Sequence, residues 1–441
     1  MASSLKKIIT RNSFLKKKYY KYISFKNRYG RKYKETLSLL KCAKLWSYSQ
    51  AKDYQLENLK NILSVCRNIP YYKKLFKDNG FDPDIKKIED IENLPYLTKD
   101  IIINNFNDLI NPFFEGKRYK LHTSGTTGKR LVILGTDDLY KVEAAFITNA
   151  FNDHNSYLYQ DHSIWIRRYS PKAGDPIHFD DLELNRSYMS AFNLNDETVC
   201  DYVEYINSKK SETLVSYPST LYYLSILCEK LNLKLDHVKH MHGASEPCLD
   251  QWKDKIKQVF SIDIKMHYGQ VERVCFAHQD YENNYYKENL LYGYKELSNK
   301  NVIVATGFHN YLMPLLRYKT NDIVKPFESY DDSAFPRSIE SIEGRECDML
   351  LNSSGYLVPA INFYTLMSKT DSVDMFQITQ IKKDKSVLLD IVVNEKFSLK
   401  SEQALRKEMS FRLGDVNVEI RKVDRISRDL KTQKFKAVKL V

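Results

Sequence analysis

The 441 residues predict an α/β protein: a large N-terminal body followed by a small hinged α+β domain. Three observations predict it. Between about residues 118 and 310, short β-branched runs alternate with helical stretches, a pattern that requires a largely buried sheet flanked by helices. After Asp348 the pattern becomes strand, strand, helix, strand over about 90 residues, a small unit behind the body. A loop rich in glycine and hydroxyls, 123–129, lies between two strand-like runs early in the body.

Taken in order, residues 1–34 hold twelve Lys or Arg and no acid, interleaved with Tyr19, Tyr20, Tyr22, Phe25, Tyr29 and Tyr33. Without them, 56 basic residues face 56 acidic ones, so the net charge of +12 belongs to this arm. Such an arm suits an anionic membrane surface, a partner protein or nucleic acid, or is a solvated extension with no ligand. The domains expected are therefore an arm (1–34), a body (35–347) and a small mobile domain (348–441). Residues 36–67 show apolar spacings of three and four, the signature of helix. Thr98 has the character of an N-cap before a helix beginning at Lys99. In the body, 163–166, 213–215, 237–241, 262–266 and 301–305 read as strands, and 137–152, 196–208, 219–232 and 248–260 as helices. In the small domain, 376–381, 386–393 and 417–423 read as strands, with a helix near 401–412.

Composition narrows the function. At 43% hydrophobic and 28% charged residues, and with no stretch near the roughly 18–20 apolar residues of a bilayer span, the chain reads as soluble. The N-terminus lacks the pattern of a secretory signal, and seven scattered cysteines suggest reduced thiols. A cytoplasmic protein is expected, with the arm able to bring it to the inner face of the membrane. None of the ten histidines stands in a metal-ligand or hydrolase order.

The sharpest local signal is Thr123-Ser124-Gly125-Thr126-Thr127-Gly128-Lys129, between runs 118–122 and 131–134. Glycines there supply the positive φ of a hairpin tip, and backbone N–H groups, hydroxyls and one ammonium can cradle phosphate oxygens. It is not a Walker loop, because Arg130 follows the lysine where Ser or Thr is required. The run resembles the phosphate loop of the acyl-adenylate-forming superfamily. Pro70-Tyr71-Tyr72-Lys73-Lys74-Leu75-Phe76 and Leu94-Pro95-Tyr96-Leu97-Thr98-Lys99-Asp100 resemble one branch of it, the phenylacetate–coenzyme A ligase-like proteins, which also occur in capsule and lipopolysaccharide gene clusters.

The resemblance covers about residues 55–441 and implies roles for further motifs. Gly243-Ala244-Ser245-Glu246 would lie against adenine, and Tyr268-Gly269 would pack on the base. Glu272 would help hold Mg²⁺, which favours one or two carboxylates with phosphates and water. In Pro314–Asp322 the resemblance gives Asp322 both ribose hydroxyls, a diol that a carboxylate can accept from twice. Asn321 replaces the usual glycine, a substitution tolerated because Asn enters the left-handed region. Arg345 would contact the nucleotide and Asp348 would mark the hinge, where Cys347 replaces an aspartate. The C-terminal catalytic lysine would be Lys434, with Lys436 or Lys431 as alternatives because Gln433 replaces the usual glycine. Ser216, Tyr217 and Pro218 would meet the acyl substrate; Arg167 and Arg168 are candidates for an anionic acid or plain surface charges. The activity implied is ATP- and Mg²⁺-dependent formation of an acyl-AMP, with transfer to coenzyme A or to an amine such as an amino sugar in surface-polysaccharide synthesis. Two rivals remain: an inactive adenylation-fold scaffold, motivated by Asn321, Cys347 and Gln433, and a nucleic-acid-binding protein acting through the arm.

Overall fold

The computed structural model describes residues 15, 19, 29–122, 131–152, 161–167, 169, 171, 175–280, 285–327, 332–345, 349–355, 357–359, 363, 366–367, 370–381, 383–426 and 437–441. Helix α1 (Gly30–Ala43) buries Tyr33, Leu37, Leu40 and Ala43, spaced three or four apart, while Arg31, Lys32 and Lys34 stay exposed. Its apolar face lies on α5 (Asp137–Asn152), where the Tyr33 hydroxyl donates to Thr148 Oγ1 at 3.0 Å. This helix crosses the expected boundary at residue 34, so the last stretch of the basic segment is built into the body. The helix expected over 36–67 is two helices. Ser47 starts α2 (Tyr48–Cys66) with a capping box to Gln50, and that local hydrogen bonding ends the run of apolar spacing.

After α3 (Pro70–Asp78), Thr98 caps α4 (Lys99–Asn104) by accepting from Ile101 N–H, as its residue type predicts. Leu97 then bridges to Tyr318, and the Tyr72 hydroxyl donates to the Pro314 carbonyl at 2.8 Å. These two motifs, both far upstream, thus brace the segment ahead of Asp322. The predicted hairpin is present as β1 (Tyr119–His122) and β2 (Val132–Gly135), antiparallel from Tyr119↔Gly135 to His122↔Val132.

The body is built on a twelve-stranded sheet among the described residues. One half is parallel: β5 (Arg186–Ser190), β3 (Ser163–Arg167), β6 (Thr213–Ser216), β7 (His240–Gly243) and β8 (Ile264–Gly269), edged by antiparallel β4 (His178–Asp181). Helices α6 (Val199–Ser208), α7 (Pro218–Lys230) and α8 (Asp250–Phe260) make the crossovers. The other half is antiparallel: β9 (Phe276–Gln279), β10 (Tyr286–Glu288), β14 (Arg337–Arg345), β13 (Tyr318–Pro326), β12 (Val302–Gly307) and β11 (Gly293–Leu297). Strand β8 is the junction, parallel to β7 and antiparallel to β9. Strands expected at 237–241 and 262–266 start two or three residues later, since the apolar run includes the approach to the sheet.

A short hairpin, β15 (Met349–Leu351) with β16 (Leu357–Pro359), leads to the small domain. There a four-stranded sheet runs β19 (Val418–Lys422), β18 (Val387–Val393), β17 (Val373–Gln380) and β20 (Val438–Leu440), with α9 (Leu399–Leu413) between β18 and β19. The predicted order is present, with β20 added. Its buried Val373, Phe376 and Ile378 join one apolar cluster with Leu214, Leu224 and Trp252 of the body.

Candidate active site

In a sheet with parallel strands, ligands gather beyond the strand carboxyl ends, where crossover helices leave a crevice. Three sequence-selected segments stand there: Ser216 at the end of β6, Gly243 at the end of β7 and Gly269 at the end of β8. Gly243 is closely packed by neighbouring side chains. A Cβ on it would come within 2.5 Å of Met266 Sδ and 2.9 Å of Ile264 Cδ1.

Across the junction, the Tyr268 hydroxyl donates to Asp322 Oδ2 at 2.7 Å, and both residues are buried. Burial first, then the Asp322 charge, pushes the phenol pKa far up, so the tyrosine remains a donor. Gln270 Nε2 donates to the same phenol oxygen and to Cys275 Sγ. Asp322 owes its position to a bulge. The β12–β13 pairing steps from Val304↔Lys319 to Val302↔Ile323, and Asn321 there has φ 66°. That left-handed backbone explains why a residue usually glycine can be Asn but not a β-branched side chain.

The Tyr318 hydroxyl donates to Glu272 Oε1 at 2.9 Å, tying the turn after β8 to the start of β13. A single fixed carboxylate of this kind fits Mg²⁺ carried by nucleotide phosphates. Among the described residues no group of three or more His, Cys, Asp or Glu is placed to hold a metal by itself.

Three residues expected at the site also hold the fold together. Glu246 Oε1 accepts from Ser219 N–H at 2.7 Å, so this carboxylate sits on the N-terminus of α7, where backbone donors and the helix dipole favour an anion. The Ser216 hydroxyl is buried and donates to the Ile166 carbonyl at 2.7 Å, which fixes β6 against β3. Pro218 begins α7, as its fixed φ suits. Tyr217 remains at the site, with the Arg167 guanidinium 4.7 Å from its ring centroid. Ala244 is buried, and Ser245 is exposed with φ 78°.

On the opposite side of β8, His267 sits against Phe151 and Phe276, with ring centroids 6.0 and 5.9 Å away. Burial, followed by the charges of Arg167, Arg273 and His278, pushes its pKa down to about 3. Beside it Glu143 pairs with Arg273 and accepts from the Tyr292 hydroxyl. Sequence reasoning missed Gln270, Tyr318, Glu143 and Arg273. Tyr318 stands four residues before Asp322 and Gln270 two residues before Glu272, so proximity to the motifs was the available signal.

Thr123, Ser124, Gly125, Thr126, Thr127, Gly128 and Lys129 lie outside the described residues, as do Arg168, Cys347, Asp348, Lys431, Gln433, Lys434 and Lys436. The backbone of Arg345 ends β14, paired with Asp322, which brings two motifs to one point of the ladder.

A family model described as the CapK C-terminal domain matches residues 350–440. Protein CapK of Staphylococcus aureus is 24% identical over 418 residues, 89% of this chain and 88% of that one. The phenylacetate–coenzyme A ligase of Aromatoleum evansii is 22% identical over 410 residues, 82% and 87% of the two chains. Among solved structures, 2-hydroxyisobutyryl-CoA ligase in its postadenylation state superposes with TM-score 0.69 at 15% identity, covering 90% of each chain. The same ligase in its thioesterification state gives 0.53 at 16% identity, over 89% of this chain and 90% of that one. The relatives and the solved neighbour together support an adenylate-forming chain similar to the phenylacetate–coenzyme A ligases, with CapK among its relatives.

Proposed function

We propose that this ligase activates a carboxylic acid as acyl-AMP and passes the acyl group to coenzyme A or to an amine, an amino sugar of a surface polysaccharide being one such acceptor. The observation that carries the reading is the Tyr268–Asp322 hydrogen bond at the end of β8, which joins the base and ribose motifs. Tyr268, Gly269, Gly243 and Ala244 would line the adenine, and Asp322 and Arg345 would take the ribose side. The 123–129 loop would hold the phosphates, with Glu272 and the phosphate oxygens holding Mg²⁺, whose charge offsets that of pyrophosphate. A substrate carboxylate oxygen bonds to the α-phosphorus as the bond to pyrophosphate breaks. Lys434 would meet the charge that gathers on the non-bridging oxygens. The acceptor then attacks the acyl carbon and AMP leaves.

Domain boundaries near residue 347 suit such a cycle, with the small domain turning between steps. The higher whole-chain TM-score on the neighbouring ligase in its postadenylation state, 0.69 against 0.53 in its thioesterification state, supports reading the present placement as the adenylate-forming one. The test is a panel of aryl, fatty, hydroxy and amino acids scored by pyrophosphate release, with and without coenzyme A. No release with any acid would leave the inactive-scaffold reading standing.

The arm reading survives in shortened form. No helix among the described residues is long and apolar enough to cross a membrane. Residues 1–28 carry nine of the twelve basic residues and precede buried Tyr29. Deletion should weaken binding to anionic vesicles by roughly 1 kcal/mol per basic residue near the surface. Equal vesicle binding at low salt would discard membrane contact.

A further inference from the structure

We infer that Gln251 and Trp252, at the start of α8, are positioning residues that hold the small domain against the body in the arrangement that makes the adenylate. The inference rests on the adenylation reading for its meaning, though not for its geometry. Trp252 is fully buried, its indole stacked on Tyr222 with centroids 5.5 Å apart and planes at 19°. Its Nε1–H donates to the Asp374 carbonyl at 3.2 Å. Gln251 Nε2 donates to the Val373 carbonyl at 2.9 Å and to the Asp374 carbonyl at 3.3 Å.

The acceptors are available for a specific reason. The β17–β18 register steps from Val373↔Val393 to Met375↔Val392, leaving Asp374 as the extra residue of a bulge. A bulged residue falls outside the strand ladder, so its carbonyl can serve a partner elsewhere. The Asp374 side chain is fixed in turn, Oδ1 accepting from Asn394 Nδ2 at 2.8 Å. Two directional bonds from the body therefore meet a carbonyl turned out of the small domain's own sheet.

If the small domain turned away, the Trp252 indole would lose its acceptor and face water, and the Val373 and Asp374 carbonyls would lose these donors. The docked state gains from apolar burial and from hydrogen bonds at once. Turning has to break this contact. Its strength therefore sets how long the lysine-bearing domain stays over the adenylation site, and the acyl-transfer step waits on its release.

The protein carries three tryptophans, so ¹⁵N-tryptophan labelling of the full chain yields three indole signals, with Trp252→Phe assigning its own. We expect Gln251→Ala to speed hydrogen exchange of the Trp252 indole about fivefold, the effect of a lost hydrogen bond of ordinary strength. The Trp165 indole, bonded to Ser163 Oγ within the body, should keep its rate. Unchanged Trp252 exchange, or equal acceleration of both indoles, would overturn the latch. With any acid that the panel turns over, Gln251→Ala and Trp252→Phe should slow ATP–pyrophosphate exchange several-fold. They should leave acyl transfer from preformed adenylate equal or faster. Equal slowing of both steps would refute the positioning role. If no acid is turned over, the adenylation reading fails alone, because indole exchange needs no catalysis.

Discussion

Acid should weaken this fold well before its carboxylates titrate, and His309 is the residue through which to measure it. Its ring lies 5.4 Å from Phe146 and 5.5 Å from Tyr292, with Nε2 lacking a hydrogen-bond partner among the described residues. Burial, with Lys32 adding repulsion and a backbone bond at Leu291 opposing it, pushes its pKa down to about 4. His267 stands at about 3 for similar reasons. An unfolded imidazole takes its proton near pH 6.5, so below that value the unfolded chain binds more protons than the folded one. The stability from each neutral ring is therefore complete above about pH 6.5 and is lost as pH falls towards the folded value. At about pH 5 the loss spans about 1.5 units, or about 2 kcal/mol per histidine at about 1.36 kcal/mol per unit. Both rings keep some accessible surface, so this is a ceiling. Asp180 does not confuse the measurement. Burial would raise its pKa, but Lys209, Ser187 and Tyr205 outweigh that and bring it to about 2, so its stabilisation fades only below about pH 4. These two rings alone contribute up to about 4 kcal/mol to the parent's loss between about pH 7.5 and about pH 5 in urea unfolding, and His309→Gln should remove about 2 kcal/mol of it. A variant with the parent's pH dependence would refute the assignment to this ring.

Three further outcomes are expected. Asp322→Ala should weaken ATP binding by about 1–3 kcal/mol and reduce the preference for ATP over dATP, since the lost carboxylate is a charged acceptor; an unchanged preference in competition binding would remove Asp322 from the ribose. Lys434→Ala should slow pyrophosphate exchange by about 10²–10³ and spare transfer from preformed adenylate, with Lys436→Ala as the register control; if Lys436→Ala is the dead variant, the residue choice is wrong and the mechanism stands. Gly243→Ala should destabilise the protein by about 1–3 kcal/mol in thermal unfolding, because its Cβ would overlap Met266 and Ile264; an unchanged melting temperature would show that β7 and β8 can part locally.

In the parallel half, β3, β6, β7 and β8 were legible as short β-rich runs, and β6 and β7 are each followed by a helix, whereas β5 (Arg186–Ser190) was not read because its residues are mostly polar. Residues 137–152, read as helix, are helical over Asp137–Asn152. The antiparallel half was largely missed. Strands such as β10 and β14 are short, or carry charged residues on a half-buried face, as in Arg337–Arg345, and periodicity alone does not separate them from loops. In the site, the family resemblance singled out the motifs of Tyr268 and Asp322, since Tyr-Gly-x-x-Glu taken alone is a weak signal, and the structure joins the two by a hydrogen bond. Glu246 shows the limit: a carboxylate three residues after a glycine suits a nucleotide or a helix N-terminus, and in the structure its Oε1 accepts from Ser219 N–H at 2.7 Å.

The site's place in the fold follows from β8 being both a parallel and an antiparallel strand. Its parallel neighbour β7 brings Gly243 to the same end of the sheet as Gly269. Its antiparallel neighbour β9 starts the run of strands that reaches β13 and returns Asp322 to Tyr268, 54 residues later in the chain. Strand alternation then separates two environments within one pair of residues. Tyr268 points to the ribose motif, and His267 points to α5, where Phe151 and the Glu143–Arg273 pair lie. A one-residue slip of β8 would exchange the two, placing an imidazole against Asp322 and a phenol against Phe151. The register is held against that slip by Met241↔Ile264 and Gly243↔Met266 on one side and His267↔His278 and Gly269↔Phe276 on the other. Pairing on both edges of one strand therefore specifies which side chain meets Asp322.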